Sequence, residues 1–118
     1  MRYMLLIYTE EQTGAPDPAD VEQVMGEYWA YEKAVADAGV KEGSDALQPT
    51  ATATTVRVKD GERLVTDGPF AETREVLGGY YLIDVPDLDS ALEWAARCPG
   101  AKYGAVEVRP IMEFEQPE

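Results

Sequence analysis

The chain has 118 residues, a net charge of −13 and no histidine. That length makes a single domain, residues 1–118, with enough chain for a real core. The acidity disfavours nucleic acid and anionic membranes as partners, and the missing histidine removes the commonest neutral-pH base, the commonest zinc ligand and any Ser-His or Cys-His nucleophile pair. One cysteine, Cys98, leaves no internal disulfide and fits a reducing cytoplasm. No stretch approaches the roughly 18 apolar residues of a membrane span. The first eight residues, Met1 to Tyr8, run straight into Thr9-Glu10-Glu11, which reads as a strand rather than a signal peptide.

In chain order, residues 2–9 are apolar on both alternating sets: Tyr3, Leu5, Ile7 and Met4, Leu6, Tyr8. Such a strand is central and covered on both faces. A polar loop over 10–16, with Gly14 and Pro16, leads to Asp17-Pro18-Ala19-Asp20, where Asp17 caps a helix and Pro18 takes its first position. Val21, Val24, Met25, Tyr28, Tyr31 and Val35 recur at helical spacing, and Gly39 closes the helix. Trp29, like Tyr28 and Tyr31, reads as core, and Trp94 as core or interface.

Val40 to Leu47 is a weak strand interrupted by Gly43, and Gln48-Pro49 is a break. Thr52 to Lys59 is β-branched and alternating, and Asp60-Gly61 signals a two-residue hairpin into Glu62–Thr66. A charged connector, 71–75, precedes a second strand apolar on both sets, Gly78 to Val85. Asp87 caps a second helix that carries Leu88, Ala91, Leu92 and Ala95 inward and ends at Cys98-Pro99-Gly100. Ala105–Met112 is the last strand, with a frayed tail from Phe114.

The order β-α-β-(β-β)-β-α-β is a split βαβ arrangement with an inserted hairpin, an α+β fold. Two helices cover one face of such a sheet, yet two strands are apolar on the other face as well. The simplest cover is the same face of a second copy, giving a two-fold homodimer with on the order of 1,600 Å² or more buried.

Chemistry concentrates on Thr66-Asp67-Gly68-Pro69-Phe70, an apolar strand running into a rigid Asp-Gly-Pro turn. Asp67 reads either as a general acid/base or as the carboxylate that holds the corner. Gly68, Pro69 and Phe70 either cradle a ligand or shape a corner while Phe70 plugs the core. Arg74 pairs with a ligand carboxylate, or simply with Glu72 or Asp67. Gly78-Gly79 marks a close backbone approach or a bulge. Tyr80 and Tyr81 point to opposite faces, one toward the helices and one toward the dimer. Asp84, Asp87 and Asp89 read as caps and helix-dipole partners, so no metal or cofactor is assigned. Cys98, at a helix C-terminus, is a poor nucleophile.

Several of these runs together resemble the DGPF-type branch of the YCII-related proteins. They are Thr66 to Thr73, Leu77 to Val85, Leu47-Gln48-Pro49 with Thr52-Ala53-Thr54, Trp94 to Pro99 and Val106 to Ile111. The resemblance implies a ferredoxin-like domain that dimerises into an α+β barrel, of mostly unknown activity, encoded in many bacteria beside extracytoplasmic-function sigma factors. Better-studied relatives carry a proposed His–Asp pair, with the histidine on the first helix at or near the position of Tyr28. Here that histidine is absent, and Asp67 is the motif residue that carries over most directly. Two functions follow as expectations. The first is binding or transformation of a small molecule in the barrel cleft through Asp67, with Gly68, Pro69, Phe70, Arg74, Tyr28, Tyr80 and Tyr81 as ligand contacts. The second is a non-catalytic role beside a sigma factor.

Overall fold

The computed structural model describes residues 1–11 and 15–115; Gly14 of the polar loop and the last three residues of the tail lie outside the described residues. The elements are β1 (Arg2–Glu10), α1 (Pro18–Asp37), β2 (Lys41–Ala46), a short 3-10 turn (Thr50–Thr52), β3 (Thr54–Lys59), β4 (Glu62–Asp67), β5 (Glu75–Asp84), α2 (Leu88–Arg97), α3 (Pro99–Tyr103) and β6 (Ala105–Pro110). The main sheet has the order β2-β5-β1-β6, with every neighbouring pair antiparallel. β5 thus sits between β1 and β2, the split βαβ order expected of a ferredoxin-like α+β fold. β3 and β4 form a separate two-stranded sheet.

Local chemistry sets the boundaries. Asp17 accepts the Ala19 N–H at 2.9 Å to start α1, and Gly39 follows the helix at φ +72°. Asp87 accepts the Ser90 N–H at 2.9 Å to start α2. Asp60 and Gly61, at φ 52° and 79°, make the tight hairpin between β3 and β4. Where the second helix was expected simply to stop, Cys98 ends α2 and opens α3, with Pro99 in the first turn. Proline's fixed φ suits a helix start as well as a stop.

The core lies between the sheet and the helices. Tyr3, Leu5 and Ile7 of β1 and Tyr81 and Ile83 of β5 meet Tyr31 and Val35 of α1, Ala91 and Ala95 of α2, and Cys98. Leu5, Ile83 and Val35 are fully buried, each contributing roughly 1.5–3 kcal/mol. The opposite face carries Met4 beside Leu82 and Leu6 beside Tyr80, all partly exposed.

Three expected core residues lie outside it. Leu88 and Leu92 are each 47% exposed, because the inward arc of α2 is Ala91, Trp94, Ala95 and Cys98, and the leucines fall at its edge. Trp29 is 67% exposed, since one residue past Tyr28 turns it about 100° away from the sheet.

The β3–β4 hairpin is an arm in the plane of a flat molecule. The Cα extents are 51 × 47 × 18 Å and the radius of gyration is 16.8 Å, against about 13.5 Å for a compact domain of this length.

Candidate functional site

Gly78 and Gly79 give up two side chains in the strand that faces α1, and a hollow results. Gly79 pairs with Ile7 and Ala46, and a Cβ there would stand 2.8 Å from the Asp45 carbonyl oxygen. Only glycine lets β2 approach this closely. Above the two glycines, α1 and the sheet enclose a cleft of about 490 Å³, within the range of small-molecule sites. Ile7, Val24, Met25, Tyr28 and Trp29 form its apolar and aromatic walls, while Glu32, Ser44 and Tyr81 supply polar groups. A wider groove shares Thr9, Val24 and Tyr28 with it and carries Glu10, Glu11, Asp20 and Glu75 along its lining.

Glu32 organises the polar side. Its Oε1 accepts from the Tyr81 hydroxyl at 2.9 Å and from Ser44 Oγ at 3.0 Å, and its Oε2 meets Lys41 Nζ at 2.5 Å. Burial pushes the Glu32 carboxyl up, but Lys41, Tyr81 and Ser44 together outweigh that and hold it below its ordinary range. Burial, and then the bond to Glu32, push the Tyr81 hydroxyl well above the usual tyrosine value. Tyr31, beneath them, donates to the Trp94 carbonyl at 2.8 Å and stacks edge-on against Tyr81 with ring centroids 5.0 Å apart. These contacts fix the tyrosine rings under the cleft.

Tyr28 reaches the cleft from one turn earlier on α1. Burial pushes its hydroxyl up to about 12, with the Cys98 thiol adding to the shift and the Gly100 backbone opposing it. A Cβ on Gly100 would stand 2.5 Å from Ile7 Cγ2 and 3.1 Å from the Tyr28 hydroxyl, so this corner of α3 is glycine for lack of room. Burial raises the Cys98 thiol, which is 1% exposed.

The predicted site residues separate into two groups. Tyr28 and Tyr81 turn their side chains to the cleft, and Tyr80 belongs to its lining without doing so. Tyr81 faces the helices, and Tyr80 faces the other side of the sheet, where its hydroxyl donates to Asp45 at 2.7 Å. Asp67, Gly68, Pro69 and Phe70 sit at the root of the arm. Asp67 is exposed and paired with Thr54; Gly68, at φ +100°, donates to the Ala53 carbonyl at 2.7 Å and accepts from Thr55 Oγ1 at 2.8 Å. Phe70 is 73% exposed, with the Arg57 guanidinium 4.8 Å from its ring centre, so it plugs no core. Arg74 pairs with Glu10, not with Glu72 or Asp67. Glu32, Ser44 and Lys41 were not expected at a site; a carboxylate four residues after Tyr28, inside the apolar stripe of α1, was the available signal.

The model of the YCII-related domain matches residues 1–115. The chain belongs to the YCII-related family. An uncharacterized protein of Rhizobium meliloti (strain 1021) is 40% identical over 121 residues, covering 100% of this chain and 98% of that protein. Among the described residues of this YCII-related domain, no helix is long and apolar enough to cross a membrane.

Proposed function

We propose that this YCII-related domain binds a small, largely apolar, ring-sized molecule in the cleft between α1 and the sheet. The observation that carries this reading is the pairing of a hollow of about 490 Å³, opened by Gly78-Gly79, with one carboxylate set among aromatic walls. Glu32 stays ionised and the tyrosine hydroxyls stay protonated across neutral pH. The polar groups therefore act as a fixed acceptor and fixed donors, which suits recognition more than proton exchange. The ligand brings at least one hydrogen-bonding group to meet Tyr28 or the Glu32 network, and its ring lies against Trp29 and Met25.

Thermal melting against a panel of small cyclic metabolites tests this. A true ligand at about 100 times its Kd raises Tm by about 10 °C. Val24→Phe, which fills the cleft from its wall, abolishes that rise while leaving the unliganded Tm within a few degrees. A ligand that shifts the wild type and Val24→Phe equally binds elsewhere and overturns the reading.

A further inference from the structure

The surface of this chain is too large for a molecule that ends at its own boundary. It exposes 8837 Å², whereas a compact monomer of 13.0 kDa exposes about 6,300 Å². The excess is comparable to what a protomer buries in a substantial dimer. Two of the chain's exposed apolar patches are built alike.

The first lies on the arm. Val56 pairs with Val65, and Val58 lies on the same face two residues along; the three are 55%, 54% and 72% exposed. A two-stranded hairpin with a bare apolar face is marginal alone. The second lies on the outer side of α1. Val21, Met25 and Trp29, spaced four residues apart, are 43%, 47% and 67% exposed and run past the cleft. The two patches match in length. Val21 to Trp29 spans about 12 Å of helix, and Thr54 to Val58 spans about 13 Å of strand.

Charge matches as well. Arg63, paired with Val58 and so on the valine face, makes no ion pair among the described residues, while Arg57 and Lys59 alternate to the opposite face. The first turns of α1 carry the exposed acids Asp20 and Glu22. The occupant that fits each patch is thus the other patch. The arm shares no substantial interface with α1 of its own chain, so the match is met between copies.

We propose that β3–β4 is an exchange arm: in a pair of copies, each arm lays its valine face along α1 of the other and closes the edge of that copy's cleft. The pairing is two-fold, so both arms and both helix stripes are covered at once. It goes beyond the expected pairing of sheet faces and does not depend on what the cleft binds.

Sedimentation equilibrium of the full chain tests it, using Val58→Glu and Met25→Glu, both at exposed positions where the fold tolerates a charge. The wild type sediments at twice the chain mass, and each variant weakens association about 100-fold or more. A Val58→Cys/Met25→Cys variant, oxidised under mild conditions, forms a disulfide between chains that neither single variant forms. A monomeric wild type, or a dimer indifferent to both charges, overturns the proposal. Circular dichroism and melting of each variant confirm that loss of association is not loss of fold.

Discussion

The body and the arm are written in the same strand chemistry and end differently. In the body, Leu5 and Ile83 alternate with Met4 and Leu82, and one set vanishes entirely under α1 and α2. In the arm, Val56, Val58 and Val65 alternate just as well and stay more than half exposed. Period-two alternation states which residues share a face; it does not state whose surface covers that face. In the body, the cover lies a few residues along the same chain. In the arm, the chain supplies none.

The largest effect that sharpens this contrast is a core truncation. Ile83→Ala lowers stability by about 2–5 kcal/mol, while Val58→Ala, measured on dilute unassociated protein, stays within about 0.5 kcal/mol. Denaturant titration of both variants checks this; equal losses would mean that the arm is folded onto its own body. Tyr31→Phe comes next. It removes one of two donors to the Trp94 carbonyl, which keeps the Cys98 N–H at 3.1 Å, and the expected loss is about 1 kcal/mol by the same titration.

Glu32 gives a pH signature confined to the body. Its folded pKa lies below its ordinary 4.5, so its contribution is fully present above the unfolded value and fades as pH falls through the folded one. Wild type should therefore exceed Glu32→Gln in Tm at about pH 7, and the gap should shrink toward about pH 3. A constant gap across that range would show that the charge of Glu32 plays no part. The smallest effect belongs to the arm's root. Asp67→Asn keeps the turn geometry and stands outside the cleft lining, so Tm moves by about 1 °C or less and affinity for any cleft ligand by less than about twofold. A large loss of affinity would bring Asp67 back as a site residue.

These contrasts also show what could be read from residues alone. Caps and turns with strong local chemistry were legible: Asp17, Asp87 and Asp60-Gly61 each act within three residues of themselves. The split βαβ order followed from them. The site was only partly legible, because its parts meet across the fold. Glu32 resembles any solvated helix glutamate until Ser44, Lys41 and Tyr81 arrive from two strands. Asp67 drew attention through a distinctive turn, and a distinctive turn reports backbone geometry before it reports chemistry. Likewise Trp29 shares the aromatic character of Tyr28 and Tyr31, and only its angle on the helix sends it outward.

The contrast between a self-sufficient body and a borrowed cover is tested most directly by amide hydrogen exchange at two protein concentrations, one above and one below the association midpoint. The account predicts that β1 and β5 amides exchange equally slowly at both, whereas the cross-strand-bonded amides of Arg57, Leu64 and Thr66 are protected only at the higher concentration. Arm amides equally protected in dilute protein would contradict it.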